Sequence, residues 1–238
     1  MPGTTDHRPS ASVRVRVASY GARALLALTA VAATVATAAE IWRYVLLVRS
    51  RDEILSATTV TASDVLTATA GVLEVVFALA AAVLCLVWLH RARVAAAQAS
   101  GHPSARPDWQ VLLGLLLPGL NLFMPFSVVA ELEHAAMGCD TARQPKPTRM
   151  VWCWWAAWVA GGLLWVATLI WNQRGSIQAM ADGVVLHAVL DASAIAVAGL
   201  TLVLVRRLTL LLAPPPVERA RFAHVVRVSG APEPPLLA

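Results

Sequence analysis

The chain has 238 residues, of which 58% are hydrophobic and only 14% charged, with a mean hydropathy of +0.65. A soluble domain carries about 25% charged residues, so this composition excludes a single water-soluble globule, a disordered chain and a disulfide-stapled secreted module. The net charge of +5 in so apolar a chain points to juxtamembrane arginine facing anionic lipid headgroups, not to nucleic acid.

In chain order, residues 1–22 read as a basic cytosolic lead with no core of their own. Val and Arg alternate over residues 13–17, a pattern compatible with a strand, although a juxtamembrane lead is the simpler reading. The first apolar run, 24–48, is long enough to span. Ala36-Thr37-Ala38 resembles a signal cleavage site, but the apolar pattern resumes through Ile41-Trp42 and favours an uncleaved helix. Further spans are expected at 65–89, 151–171 and 184–205, which defines a four-span membrane domain over 23–212. A broken helical stretch at 109–137 is interrupted by Pro118-Gly119 and again by Pro125. Residues 213–238 open on Pro214-Pro215-Pro216 and read as a disordered cytosolic tail.

Lysine and arginine placement arbitrates the topology. If the broken stretch does not cross, only Arg49, Arg51 and Arg174 lie outside, with Arg43 inside the first span and the other basic residues cytosolic. If it crosses, the asymmetry disappears. Four spans in a bacterial inner (plasma) membrane with both termini cytoplasmic is therefore the expectation. The first half of the broken stretch, about nine residues or about 13 Å of helix, reaches less than halfway through the hydrocarbon. With turn chemistry at Pro118, Gly119 and Asn121, and Pro125 in the first turn of a second helix, it forms either a re-entrant hairpin or an interfacial one.

The text Trp88-Leu89-His90-Arg91, then Pro107-Asp108-Trp109, then Pro118-Gly119-Leu120-Asn121-Leu122 with Pro125, and finally Glu131-Leu132, resembles an actinobacterial membrane-protein family known as domain of unknown function 4328. The likeness covers about residues 73–171. It implies a similar four-span layout and brings no activity, substrate or cofactor with it.

Ionisable groups inside spans are costly and are candidate functional residues by default. These are Glu40 and Arg43 in the first span, Glu74 in the second, and His187 and Asp191 in the fourth. The three acids fall at a common depth, about 11–14 Å below the outer surface. As function, this polar layer is a proton or cation relay. As structure, it is interhelical glue in which Glu40 pairs with Arg43 one turn away, and charge counting favours the glue.

Asn121 is either an anion or gating contact, or a side chain that satisfies backbone groups freed by the turn; the second is preferred. Tryptophans crowding the third span fit interfacial belts and packing. Glu131-x-x-His134 near Cys139 has a metal-ligand spacing, but a di-iron bundle needs two such motifs, so a solvated helix face is expected and no metal. Cys85, Cys139 and Cys153 show no paired spacing, give no metal or disulfide framework, and read as buried or cytosolic thiols. No catalytic constellation or cofactor motif appears. The expected role is a non-enzymatic scaffold or accessory subunit meeting a membrane or cytosolic protein at the cytosolic face. The alternative is a small transporter or channel using the Glu/Asp/His layer.

Overall fold

A computed structural model describes residues 10–101, 106–117, 119–138 and 146–214. Pro118, Cys139 and the tail beyond residue 214 lie outside the described residues. The architecture is all-helical: α1 (Ala11–Arg49), α2 (Ala57–Ser100), α3 (Asp108–Leu116), α4 (Leu120–Ala136), α5 (Arg149–Trp171) and α6 (Ile177–Leu212), with no strand among the described residues. Within α1, α2, α5 and α6 lie four segments long and apolar enough to cross a membrane. Each of the four expected spans falls inside one of them.

The helices begin and end where local chemistry directs. Ser56 caps α2 by accepting from Thr59 N at 3.2 Å, and Gly101 closes it in the left-handed region at φ 70°. Between those caps α2 runs 44 residues, about 66 Å, or about twice the hydrocarbon thickness of a bilayer. The basic lead is helical from Ala11, so residues 13–17 belong to α1 and form no strand.

The reason is packing. The buried positions Val15, Ser19, Ala22, Leu26, Thr29, Ala33, Ala36 and Glu40 alternate steps of four and three residues, an unbroken heptad seam along α1. Most of these side chains are small, so neighbouring backbones approach closely. Accordingly α1 lies against both α2 and α6. A Cβ on Gly21 would already sit 3.0 Å from Leu84 of α2.

The chain reverses after α1 and again between α5 and α6, which gives the bundle two distinct ends. At one end the Arg91 guanidinium donates to the Arg14 carbonyl at 3.4 Å, and Trp88 Nε1 donates to Thr209 Oγ1 at 3.0 Å. The start of α1 and the ends of α2 and α6 therefore meet there. This end also holds α3 and α4 and most of the buried core, including Val15, Trp88, Leu132, Val151 and Leu208. The opposite end carries the short connections at 50–56 and 172–176.

α3 and α4 pair as a hairpin, and α4 touches α2, α5 and α6. The reversal uses Gly119 at φ 88°, a conformation that strains any residue with a Cβ. Gly114 is equally specific in its role, because a Cβ there would overlap the Met124 side chain of α4. One expectation is corrected: α4 begins at Leu120, so Pro125 lies inside the helix and not in its first turn.

The outward faces are apolar along most of the bundle. On α2, Val72, Val75, Leu79 and Val83 are each more than half exposed, and on α5 Leu163, Trp165 and Ile170 are as well.

Candidate functional site

Toward the loop end, the interior carries acids from three helices. Glu40 occupies the last position of the small-residue seam of α1 and is only 6% exposed. His187 and Asp191 project from α6, and both lie within electrostatic reach of Glu40. Glu74 on α2 lies within reach of Asp191. The structure thus gathers Glu40, Glu74, His187 and Asp191 into one layer. His187 Nδ1 donates to the Gly183 carbonyl at 2.8 Å, which leaves Nε2 as an acceptor when the ring is neutral.

Arg43 departs from expectation. Its guanidinium pairs with Asp64 of α2 at 3.5 Å, both side chains being about half exposed, instead of forming an ion pair with Glu40. The long side chain extends toward the loop end, where charge is better solvated, and Asp64 is the acid waiting there. Sequence reading had placed Asp64 at the end of a loop, because the apolar run begins only at Val65. In fact α2 starts at Ala57, two turns earlier. The consequence is that Glu40 Oε2 is buried with no hydrogen-bond partner.

At the other end, a second polar system pins the hairpin. Asp108, the first residue of α3, receives Arg93, and His90 Nδ1 lies 2.9 Å from its other oxygen. Arg93 is 8% exposed and also donates to the Arg106 carbonyl. Arg106 in turn reaches Glu131 at 3.2 Å and Ser127 at 2.7 Å on α4. Glu133 is completely buried, yet its carboxylate is well satisfied. It accepts from Thr148 N at 3.1 Å and Thr148 Oγ1 at 2.8 Å, and pairs with Arg207 of α6 at 3.0 Å. A single acid therefore ties α4 to the start of α5 and to α6. Beside the Arg93–Asp108 contact, a cleft of about 220 Å³ opens between α2 and α3, walled mainly by leucine and valine.

The tryptophans of α5 do more than pack. Trp155 Nε1 donates to the Leu122 carbonyl at 2.6 Å, and Trp158 Nε1 to the Asn121 carbonyl at 3.2 Å. Trp154 Nε1 donates to Thr201 of α6 at 2.9 Å. Phe126 of α4 sits against Trp152 and Trp155 with ring centroids 4.5 and 5.4 Å away. At the hairpin turn it is the main chain of Asn121 that is used, while its buried side-chain Oδ1 has no partner.

Several of these groups escaped the sequence reading. Glu133 reads in sequence as one more residue of a solvated helix, its one signal being that it lies one helical turn on from the apolar Val129. Glu131, half of the Glu-x-x-His spacing, is taken by Arg106. Among the described residues no group of three or more His, Cys, Asp or Glu is arranged to hold a metal ion. Cys85 and Cys153 are free thiols.

The pieces that carry the family likeness converge in this hairpin end. Trp88 bonds α6, Asp108 bonds α2, and the Pro-flanked turn bonds α5. Comparison with curated proteins and with solved structures finds no match. The family described as Domain of unknown function (DUF4328) does match, over residues 51–210, from the connection after α1 almost to the end of α6. The chain belongs to that family.

Proposed function

We propose that the chain is a multi-pass protein of the bacterial plasma membrane, with both termini cytoplasmic, acting without catalysis as a scaffold or accessory subunit at the cytosolic face. Membrane insertion is supported by the broad apolar faces of the four long helices, which water would disfavour. The orientation is supported by charge. At the hairpin end Arg14, Arg16, Arg23, Arg91, Arg149 and Arg206 add to the pairs that Arg93, Arg106 and Arg207 make with Asp108, Glu131 and Glu133, whereas the loop end balances Arg49, Arg51 and Arg174 with Asp52, Glu53, Asp64 and Asp182.

The observation that carries the reading is how the hairpin is held. Its inner side is bolted to three neighbouring helices through Arg93, Arg106, Glu133 and Arg207. Its outer side meanwhile presents Trp109, Leu112, Leu116 and Phe123 uncovered. Such a hairpin suits the inner leaflet as a re-entrant element, with its turn at Gly119 shielded by the bundle. Around it the basic rim faces anionic headgroups and a membrane or cytosolic protein partner. A device built for rigid presentation fits recruitment of a partner.

Photo-crosslinking residues placed at Arg14, Arg149 and Arg206 in native membranes test this. One reproducible partner, lost when Glu133→Gln loosens the hairpin, supports the scaffold. Ion flux in proteoliposomes of the chain alone, with no specific crosslink, overturns it in favour of transport.

A further inference from the structure

Beside Glu40, the facing seam of α2 is polar where the remainder is small or apolar. Ser63, Thr67, Ala70 and Glu74 follow one another in the same four-three spacing that Glu40 completes on α1. Ser63 is 2% exposed, and its hydroxyl oxygen has no hydrogen-bond partner; neither does Thr67 Oγ1. The close approach of Leu84 to Gly21 and the Arg91–Arg14 contact give the register of the two antiparallel helices. Counted from them at constant rise, Glu40 lies level with the stretch of α2 between Ser63 and Thr67. Ser63 precedes Asp64 on the same seam. A buried carboxylate oxygen and two buried hydroxyls without partners thus share one stretch of a helix interface, where unsatisfied polar groups are costly. Native interiors leave such groups open where something binds them.

We infer that Glu40, with the hydroxyls of Ser63 and Thr67, forms a binding site for a small monovalent cation, a proton or a sodium ion. The chemistry is that of a hard cation: one carboxylate supplies charge and neutral hydroxyl oxygens contribute to the shell. The charged groups around it are Arg43 on α1, Asp64 and Glu74 on α2, and His187 and Asp191 on α6. Arg43 acts on Glu40 through space, but its guanidinium pairs with Asp64 and not with the Glu40 carboxylate, so it does not fill the site. The site goes beyond the scaffold reading and stands or falls separately from it, since it is read without any partner protein.

Reaction with dicyclohexylcarbodiimide, which attacks protonated carboxyls in apolar surroundings, tests the assignment on the full chain in lipid vesicles with peptide mapping. In sodium-free buffer Glu40 is expected to be modified, with labelling falling about tenfold per pH unit above its midpoint. Sodium chloride that protects Glu40 relative to choline chloride at constant pH assigns sodium as the occupant; equal labelling in the two salts assigns the proton. Asp64→Asn, by releasing Arg43 to Glu40, is expected to suppress labelling at a given pH. Absence of Glu40 modification in sodium-free buffer between about pH 5 and pH 9, or labelling indifferent to both pH and sodium, overturns the site. The wild-type chain alone decides this, whatever the folding of the variants.

Discussion

Trp158 donates its indole N–H to the main-chain carbonyl of Asn121 at 3.2 Å, and Asn121 is the residue four before Pro125. In an uninterrupted helix that carbonyl accepts from the N–H of residue 125, which proline lacks. A side chain from α5 thus supplies the donor that α4 cannot, and Trp155 adds a second donor at the adjoining Leu122 carbonyl. The proline inside α4 and the tryptophan-rich face of the neighbouring helix are one device.

Trp158→Phe should therefore destabilise the protein by about 1–3 kcal/mol, the cost of an unsatisfied interior carbonyl. Pro125→Ala restores the missing N–H, so the Trp158→Phe penalty should shrink sharply in that background. Thermal melts of the four variants in detergent form the cycle. Equal penalties in both backgrounds would separate the tryptophan from the proline.

Glu133 predicts a larger effect. Its carboxylate is sealed from solvent and serves Thr148 and Arg207 together. Removing one partner of a fully buried ion pair costs about 3–5 kcal/mol; the Arg207 left behind is about a third exposed, so Glu133→Ala should fall at the lower end of that range. Glu133→Leu with Arg207→Met should cost much less than the two single changes summed. Limited proteolysis of the α4–α5 connection should accelerate in Glu133→Ala and return toward normal in the double variant.

The Arg43–Asp64 pair should matter little to stability. Both side chains are about half exposed, and such pairs contribute about 0–1 kcal/mol. Arg43→Gln is expected to shift the melting temperature only slightly. Glu40→Ala, which continues the small-residue seam and removes a buried oxygen without a partner, should leave stability unchanged or raise it. A large loss of stability in Glu40→Ala would mean that Glu40 has a partner the geometry does not provide.

Orientation is checked with impermeant thiol reagents on a chain in which Cys85, Cys139 and Cys153 are replaced. Gly175→Cys should react in intact cells, whereas Lys146→Cys should react only after permeabilisation. Labelling of position 146 from outside would mean that α3 and α4 together cross the bilayer, and the orientation proposed above would invert beyond them.

Number and placement of the long helices were legible in the sequence, and for a physical reason. An apolar run of about 20 residues is a local, additive property, and no partner is needed to recognise it. The same holds for the break at Gly119, which acts on the backbone where it stands, whereas Pro125 proved to lie inside a continuous helix. That Glu40, Glu74 and Asp191 fall near one another was readable too, because position along a helix follows from counting at constant rise. Which groups meet was another matter. Pairing depends on the rotation and sliding of one helix against another, and an Ala-, Val- and Leu-rich surface offers many equivalent faces. Only the tertiary structure could send Arg43 to Asp64 instead of to Glu40, bury Glu133 against Arg207, and turn Trp155 and Trp158 toward the carbonyls beside Pro125. Each of those contacts joins residues on different helices, and the register that brings them together is set by small side chains such as Ala22, Ala33 and Gly114, whose packing no hydropathy pattern encodes.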